Sequence, residues 1–354
     1  MLYQTENQHG GDVYGGGITL DFSANTNPLG TPPGVLEAVC RALPQLHRYP
    51  DPYCRRLVQA IAGHEQVPAS YILCGNGAAD LIYTYCAALR PRTAVELAPT
   101  FVEYGAGLAQ VGCRVERYFL HQAQNFDLDE RFLSFLEEKK PEVVFLCNPN
   151  NPTGRLIPLP LLEQILQYCA AQGARLFLDE CFLDLTEDGV SAKSLLAAHP
   201  ELLILKAFTK SYGMAGIRLG YCLCADNALL RRMAAASPPW NVSTPAQSAG
   251  VAALAERDFL QRTLSLVRTE RRWLTDNLTA LGFWVCPSHA NYLLFRGPLG
   301  LREGLLQQGI AIRGCGNYNG LGDGWYRIAV RPHGENEALI TATRQFCKEK
   351  SLWQ

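Results

Sequence analysis

Short apolar segments alternate with helical segments along the first two thirds of the chain. This alternation predicts an α/β fold, in which helices flank both faces of a mainly parallel sheet. The seven predicted strands are Tyr71–Cys74, Thr93–Leu97, Arg114–Phe119, Glu142–Leu146, Arg175–Leu178, Leu202–Lys206 and Arg218–Leu223. The predicted helices are Val35–Leu43, Tyr53–Glu65, Ala78–Leu89, Phe101–Val111, Glu130–Lys139 and Leu159–Ala171. No helix is predicted between the last two strands, which allows that pair to be antiparallel.

The last third of the chain has a different pattern. A long helical stretch, Thr244–Leu281, is expected to break near Glu256–Arg257. Beyond it the sequence predicts a smaller α+β unit, which suits a chain of 354 residues. Its predicted strands are Phe283–Val285, Asn291–Phe295, Ile310–Arg313 and Tyr326–Val330, and its predicted helices are Leu301–Gln308 and Glu335–Lys350.

Composition argues against several classes of function. The formal net charge is −1, whereas electrostatic binding to nucleic acid or an anionic membrane needs a basic surplus. The N-terminus lacks the pattern of a secretory signal, and no apolar run is long enough to span a bilayer, so we expect a soluble cytoplasmic protein. The thirteen cysteines form no C-x-x-C pair, and we interpret them as small buried side chains in a reducing compartment, with no metal site.

Lys210 is the most informative lysine in the sequence. It follows a predicted strand, with Thr209 beside it and Gly213 and Gly216 after it. Ligands of α/β proteins bind at the carboxyl ends of the strands, which is where a Schiff-base lysine belongs. Taken alone, the position of Lys210 favours an ordinary surface lysine over a Schiff-base lysine.

Four other strand ends carry residues of complementary chemistry. CGNGAAD opens a helix with Gly77 and Ala78, where backbone N–H groups suit a phosphate. Phe101 could stack on a ring, and Asn151 in CNPNNPTG could donate to a ring hydroxyl. Asp179 in LFLDE could keep a pyridine nitrogen protonated. Each residue also has an ordinary alternative, namely core packing, a turn, a helix N-cap or a metal carboxylate.

These features together match one cofactor. Pyridoxal 5′-phosphate needs a lysine for its aldehyde, a carboxylate for its ring nitrogen, a stacking face, a donor to its ring oxygen and a phosphate cradle. The five strand ends supply all of them, with Thr209 and Arg218 as further phosphate partners. The sequence therefore predicts a pyridoxal phosphate protein.

The chain resembles the fold-type-I pyridoxal phosphate enzymes of the class I/II aminotransferase group over essentially its whole length. Within that group it is similar to the histidinol-phosphate aminotransferases and, more closely, to the L-threonine-O-3-phosphate decarboxylases of cobalamin synthesis. NPNNPTG and the K-x₇-R spacing are typical of both families. The segments that favour the second are HGG (9–11), DFSANTNPLG (21–30), RYPDP (48–52), PWNV (239–242), ANYLL (290–294) and IRGCGNYNGL (312–321).

The resemblance implies a role for each site residue. Lys210 would hold the cofactor aldehyde, Asp179 the pyridine nitrogen and Asn151 the ring oxygen, with Phe101 stacked on the ring. The cofactor phosphate would be bound by Gly77, Ala78, Thr209, Arg218 and, from the second subunit of a homodimer with shared sites, Tyr49. The substrate would be bound by Arg327, Arg313, His9, Gly30, Asn317 and Arg331.

The resemblance also implies a domain organisation. Residues 1–30 would be an N-terminal arm that packs with the small domain, 31–265 a large cofactor-binding domain and 266–354 the small domain. Phe182 stands where aminotransferases commonly have tyrosine and where the resemblance to the decarboxylases implies phenylalanine. Two features depart from relatives: Ala207 stands where they usually have Ser or Thr, and the arm between HGG and DFSAN is short.

The implied activity is decarboxylation of L-threonine O-3-phosphate to (R)-1-amino-2-propanol O-2-phosphate and carbon dioxide. Three alternatives stay open from sequence. They are decarboxylation of L-serine O-phosphate, histidinol-phosphate aminotransfer, and a non-catalytic regulator built on the same fold. The sequence also leaves open which arginine binds the substrate carboxylate and which binds its phosphate, because a guanidinium suits either anion.

Overall fold

The computed structural model describes residues 9–350. Its strands are β1 Leu20–Asp21, β2 Ile72–Gly75, β3 Thr93–Ala98, β4 Arg114–Phe119, β5 Val143–Cys147, β6 Arg175–Asp179, β7 Leu202–Ala207, β8 Gly220–Cys224, β9 Trp284–Val285, β10 Tyr292–Arg296, β11 Ile310–Ala311, β12 Arg313–Gly314 and β13 Trp325–Ala329. Its helices are α1 Pro33–Ala42, α2 Arg55–Glu65, α3 Ala78–Leu89, α4 Glu103–Gln110, α5 Arg131–Lys139, α6 Leu159–Gln172, α7 Phe208–Ser211, α8 Asn227–Ala236, α9 Thr244–Leu254, α10 Phe259–Ala280, α11 Leu301–Gln307 and α12 His333–Glu349.

The central sheet has seven strands in the order β2-β8-β7-β6-β5-β3-β4. Strand β8 runs antiparallel to both of its neighbours, β2 and β7, and the other pairs are parallel. The seven predicted strands and the antiparallel last pair are therefore confirmed. Because β2 and β7 both oppose β8, all strands except β8 end at one edge of the sheet.

The two faces of this sheet explain why its strands are apolar throughout. In β5, Val144 and Leu146 face one core cluster while Val143 and Phe145 face the other. Helices α3, α4 and α8 cover the second cluster, and α1, α2, α5, α6 and α9 cover the first. A strand buried on both faces has no polar alternation, which is why short continuous apolar runs marked these strands in the sequence.

A second, four-stranded antiparallel sheet forms the C-terminal part of the chain, in the order β12-β13-β10-β9. It packs with α10, α11 and α12 around a core cluster that includes Leu274, Phe295, Ile328 and Phe346. The break predicted near Glu256–Arg257 is confirmed between α9 and α10. The proposed domain boundary at 265–266 falls inside α10 and stays a prediction.

The sequence prediction of one strand at Ile310–Arg313 is wrong. The segment forms two strands in two sheets, because β11 pairs in parallel with β1 of the arm and β12 pairs with β13. Ile312 lies between them, where the chain passes from one partner to the other. The β1–β11 pairing ties the N-terminal arm to the C-terminal unit through Leu20 and Ile310.

The described residues contain no helix long and apolar enough to cross a membrane. Eleven of the thirteen cysteines are buried, which agrees with their interpretation as small core side chains.

Candidate active site

A cavity of about 410 Å³ lies at the carboxyl edge of the central sheet. The strands β2, β3, β5, β6 and β7 end around it, so each predicted strand-end motif is brought to the same place. The predicted site residues that line the cavity are His9, Ala78, Phe101, Asn151, Asp179, Thr209, Lys210, Arg218, Arg313 and Arg327.

Lys210 lies on the short helix α7, directly after β7. Burial lowers the pKa of Lys210 to about 8, and the positive charges of Arg327 and Arg218 act in the same direction. The ammonium lies 5.6 Å from the centre of the Phe182 ring. A lysine with a pKa near neutrality has a substantial fraction of nucleophilic, uncharged amine.

Asp179 ends β6 and is only 5 % exposed. Burial raises its pKa, whereas hydrogen bonds from Cys181 and Tyr104 and the charge of Lys210 act against that rise. The Tyr104 hydroxyl donates to Oδ2 at 2.6 Å, and the Cys181 backbone N–H donates to Oδ1 at 2.9 Å. Both carboxylate oxygens are thus held in place.

The phosphate cradle forms where α3 begins. Gly77 has a φ of +87°, and a Cβ there would lie 2.7 Å from a terminal nitrogen of Arg218. Only glycine lets the arginine pack this closely on the turn. The N-terminus of a twelve-residue helix and a guanidinium therefore meet at one end of the cavity, an arrangement that favours a bound phosphate.

Arg327 lies in the middle of β13 and is buried. Its Nη1 donates to Asn151 Oδ1 at 2.5 Å and its Nη2 donates to the Ser23 carbonyl at 2.9 Å. Its Nε has no partner among the described residues. Arg327 thus links the Asn151 turn, the N-terminal arm and the C-terminal sheet around the cavity.

Arg313 also lines the cavity and lies 5.4 Å from the centre of the Tyr318 ring. Its Nη2 donates to Asn317 Oδ1 at 2.7 Å. Asn317 itself lines an adjoining cavity of about 800 Å³, between the arm and the C-terminal strands, which shares Arg313 and His9 with the first. Asn317 therefore contacts Arg313, which lines the candidate site, but belongs to the lining of the adjoining cavity.

His9 reaches the cavity although the arm is short. Its Nε2 lies 2.7 Å from Glu103 Oε1, and its ring centre lies 5.9 Å from that of Phe101. The first eight residues fall outside the described part of the chain, but HGG does not, and its His9 and Gly10 line the cavity. The substrate-binding role of His9 stays a prediction.

Three predicted residues lie apart from both cavities. Tyr49 is 79 % exposed and stacks on Trp240, a position that leaves its predicted contact with a second subunit untested. Gly30 packs against Gly213, where a Cβ on Gly213 would lie 2.5 Å from the Gly30 carbonyl oxygen. Arg331 forms an ion pair with Glu335, with Nε 2.9 Å from Oε2.

The structure adds cavity residues that the sequence analysis did not single out. Asn25 is buried, lines the cavity, and neither atom of its side-chain amide has a partner in the described chain. Glu103 and Tyr318 line it too. Asn25 lies inside DFSANTNPLG and Glu103 lies two residues after Phe101, so their positions beside recognised residues were the available signal.

Comparison with known proteins identifies the family. Residues 18–344 match the family model described as aminotransferase class I and II. The chain is 41% identical over 331 residues to a protein of Salmonella typhimurium named threonine-phosphate decarboxylase, which covers 92% of this chain and 90% of that protein. The chain belongs to the class I/II aminotransferase family.

Solved structures agree with this assignment. The histidinol-phosphate aminotransferase of Clostridium acetobutylicum has a TM-score of 0.87 at 28% identity, and covers 93% of this chain and 99% of that one. The L-threonine-O-3-phosphate decarboxylase of Porphyromonas gingivalis has a TM-score of 0.82 at 25% identity, with the same coverage. The predicted fold-type-I architecture is confirmed.

Enzymes of this family use pyridoxal 5′-phosphate, and the cofactor predicted from sequence is confirmed. The cavity residues fit it on structural grounds. The pKa of Lys210 is lowered, and hydrogen bonds hold both carboxylate oxygens of Asp179. The absence of a Cβ at Gly77 leaves space for the guanidinium of Arg218 beside the turn. The roles of the individual residues follow from this fit as proposals.

Proposed function

We propose that the protein is a pyridoxal phosphate-dependent decarboxylase that converts L-threonine O-3-phosphate to (R)-1-amino-2-propanol O-2-phosphate and carbon dioxide. The observation that carries the proposal is that two arginines, Arg313 and Arg327, line the same small cavity as Lys210. A substrate with a carboxylate and a phosphate offers each guanidinium an anion. The 41% identity to the Salmonella protein supports the same conclusion.

The charges of the cavity favour a dianionic substrate. Burial lowers the pKa of Arg313, and the positive charge of Arg327 contributes to that shift. Arg327 also contributes to the lowered pKa of Lys210. Three cationic groups thus repel one another in a site of low dielectric, and an anionic substrate relieves that repulsion.

Two buried polar groups are available to the substrate as well. The Asn25 amide and the Arg327 Nε have no partner in the described chain. Buried polar groups are normally hydrogen-bonded, because an unpaired group loses its interaction with water. An anionic oxygen of a ligand in the cavity could accept from Asn25 Nδ2 and from Arg327 Nε, which supports a substrate position between the arm and β13.

In this mechanism the protein mainly positions groups and moves one proton. The bound cofactor supplies an electron-withdrawing ring that stabilises negative charge on the carbon that loses carbon dioxide. Asp179 holds its negative charge at the ring nitrogen. Arg313 and Arg327 would bind the two anionic groups of the substrate and so fix the orientation of the carboxylate that is lost. Lys210 Nζ holds the proton that Cα receives after carbon dioxide leaves.

We further propose a homodimer with shared active sites. Exposed apolar side chains are concentrated in residues 36–53, among them Leu43, Leu46 and Tyr49, and the exposed Trp240 stacks on Tyr49. Exposed apolar side chains of this kind suit a protein interface. Tyr49 would then reach the cofactor phosphate of the second subunit. Free thiols such as those of Cys74, Cys147 and Cys222 favour the reducing cytoplasm, and the product suits the aminopropanol linker of cobalamin.

The direct test uses purified protein, pyridoxal phosphate and L-threonine O-3-phosphate. We expect carbon dioxide and the amine product in equal amounts over many turnovers, and no release from Lys210→Ala. Absence of carbon dioxide release in the loaded wild-type protein would overturn the proposal. A parallel reaction with L-serine O-phosphate measures the contribution of the substrate methyl group, which is worth only about 10- to 200-fold in a pocket.

Histidinol-phosphate aminotransfer is the second candidate, favoured by the structural similarity to the Clostridium enzyme. It requires 2-oxoglutarate and converts the cofactor to its amine form, with a shift in absorbance, when histidinol phosphate is added. Conversion by histidinol phosphate together with no carbon dioxide release would assign this reaction instead. A non-catalytic regulator would bind the cofactor, give neither reaction and shift DNA in a gel.

A further inference from the structure

Tyr104 contacts two of the residues that line the candidate cofactor cavity, Asp179 and Phe101. It belongs to α4, is fully buried, and its hydroxyl donates to Asp179 Oδ2 at 2.6 Å. Its ring also packs edge-on against Phe101, with ring centres 5.6 Å apart. One side chain thus connects the carboxylate and the stacking ring that would hold opposite parts of the cofactor.

We propose that Tyr104 is a positioning residue that keeps Asp179 ionised and correctly oriented for the pyridine nitrogen of the cofactor. The carboxylate has two fixed oxygens, because Oδ1 accepts from the Cys181 backbone N–H at 2.9 Å while Oδ2 accepts from Tyr104. Without the hydroxyl, Asp179 would keep one of these two bonds and could rotate about it.

The surroundings of Asp179 make this bond important. Burial raises the pKa of Asp179, and the bonds from Cys181 and Tyr104 oppose that rise. The titratable groups that face Asp179 and Tyr104 are Cys147 on β5, Cys181 after β6, Lys210 on α7 and Tyr292 on β10. Burial and the nearby Asp179 raise the pKa of Tyr104 far above its usual range, so its hydroxyl stays a donor at every working pH.

The same aromatic cluster offers a matched control. Tyr85 is also fully buried and packs edge-on against Phe145 and Phe177, with ring centres 5.8 Å and 4.9 Å apart. Tyr104 contacts the same two rings. The Tyr85 hydroxyl, however, has no partner among the described residues. Tyr85→Phe therefore removes the same atom from the same cluster without touching Asp179.

The test measures cofactor affinity rather than turnover. The apoproteins of wild type, Tyr104→Phe and Tyr85→Phe are titrated between pH 5.5 and 9 with pyridoxal phosphate and with its 1-deaza analogue, in which a C–H replaces the ring nitrogen. Only the first ligand can pair with Asp179. A bond to a charged group is worth about tenfold or more in an equilibrium constant.

We expect Tyr104→Phe to weaken pyridoxal phosphate binding about tenfold near pH 7. Loss of a donor to the carboxylate raises the pKa of Asp179, so the fall in affinity at low pH should begin about one pH unit higher than in wild type. Affinity for the deaza analogue should stay unchanged, and Tyr85→Phe should resemble wild type for both ligands.

An equal loss of affinity for both ligands would assign Tyr104 a purely structural role and overturn the proposal, as would unchanged affinity for pyridoxal phosphate. A second variant tests the proposal even if Tyr104→Phe fails to fold. Incorporation of 3-fluorotyrosine at position 104 keeps the ring and the hydroxyl, replaces one ring hydrogen with fluorine, and makes the hydroxyl a stronger donor. It should move the low-pH fall in pyridoxal phosphate affinity to lower pH, and a shift to higher pH would contradict the proposal.

Discussion

The imidazole Nε2 of His9 lies 2.7 Å from Glu103 Oε1. The other carboxylate oxygen of Glu103 accepts a hydrogen bond from the Tyr83 hydroxyl at 2.6 Å. Hydrogen bonding to His9 lowers the pKa of Glu103, with Tyr83 acting in the same direction. The short N-terminal arm is thus attached to α4 at the mouth of the cavity, two residues from the candidate stacking residue Phe101.

We expect Glu103→Gln to weaken substrate binding while cofactor binding is unchanged. The variant removes the negative charge that holds His9 at the cavity. Because His9 is partly exposed, the pair is worth little by itself, and we expect a rise in KM of no more than about fivefold. Steady-state kinetics and a cofactor titration measure the two effects.

Glu37→Gln is the matched control for this variant, because Glu37 forms an exposed ion pair with Arg41 on α1. It should leave both constants unchanged. A loss of cofactor affinity in Glu103→Gln, with no change in KM, would mean that Glu103 supports Phe101 rather than the arm.

The amine of Lys210 should titrate near neutrality in the apoprotein. Burial lowers its pKa to about 8 from 10.5, and the charge of Arg327 contributes. Labelling of Lys210 by a small amine-reactive reagent, followed across pH 6 to 10 by peptide mass spectrometry, should have its midpoint near pH 8. In Arg327→Gln the midpoint should move to higher pH. A wild-type midpoint near 10.5 would contradict this prediction.

The same shift has a consequence for stability. The pKa of Lys210 is lower in the folded protein than in the unfolded chain, so the unfolded chain binds more protons between about pH 8 and 10.5. The folded protein therefore becomes more stable as pH rises through that range, because the buried amine loses its charge. Below pH 8 the cost of burying the ammonium is fully present. We expect Lys210→Met to stabilise the apoprotein there, and denaturant unfolding at pH 7 measures the difference.

The central sheet was predictable because its strands carry a local signal. A strand buried on both faces, such as Val143–Cys147, is apolar at every position, and turn residues mark its end. The carboxyl ends of parallel strands meet at one edge of the sheet, so the residues that follow the strands could be predicted to lie together. Lys210, Asp179, Asn151 and Phe101 were found in this way. Their convergence depends only on strands running in parallel.

Contacts between distant segments were not predictable in the same way. The pairing of Leu20 with Ile310 leaves no mark in either segment, so the split of Ile310–Arg313 into two strands was missed. The helix Asn227–Ala236 was missed as well. Asn25 lies within DFSANTNPLG and Tyr104 lies three residues after Phe101, but the importance of Tyr104 depends on Asp179, a partner 75 positions away.

Two arginines four residues apart should differ sharply in their effect on substrate binding. Arg327 lines the cavity and binds Asn151, whereas Arg331 pairs with Glu335 outside it. We expect Arg327→Gln to raise KM about a hundredfold, since it removes a buried charged donor. Arg331→Gln should change KM less than about threefold, because it removes only a partly exposed ion pair outside the cavity.

Kinetics with L-threonine O-3-phosphate and a cofactor titration of both variants make this comparison. Cofactor affinity should change little in either one. A large KM effect in Arg331→Gln would support the substrate-binding role that the family resemblance implies for Arg331, and would mean that this side chain leaves Glu335 when substrate binds.

A buried ion-pair network lies behind Lys210, on the other side of β7. Lys206 Nζ lies 2.8 Å from Asp184 Oδ1 and 3.2 Å from Glu65 Oε1. The second oxygen of Asp184 accepts from the Ser211 hydroxyl at 3.0 Å, and Ser211 is the neighbour of Lys210 in α7. The network therefore connects the segment after Asp179 to the helix that carries Lys210.

We expect Lys206→Met to destabilise the protein strongly. The side chains of Lys206 and Glu65 are 5 % and 1 % exposed, so the variant leaves buried carboxylates without their central cation, which typically costs about 3–5 kcal/mol. Lys193→Met is the control. Its ammonium also binds Glu65, at 2.9 Å, but its side chain is 35 % exposed, and we expect a loss of about 1 kcal/mol or less. Urea unfolding of the apoproteins measures both.

The same network should affect the stability of the protein at acidic pH. Although burial raises the pKa of Glu65, the charge of Lys206 and bonds from Lys193 and Tyr221 outweigh it, and the net pKa is lowered to about 2 from 4.5. A carboxyl group with a lowered folded pKa stabilises the protein above pH 4.5 and loses that contribution as pH falls toward 2. In Lys206→Met the pKa of Glu65 should rise, so acid unfolding should begin at higher pH than in wild type. Identical acid transitions in the two proteins would mean that Lys206 does not hold Glu65 in its ionised form.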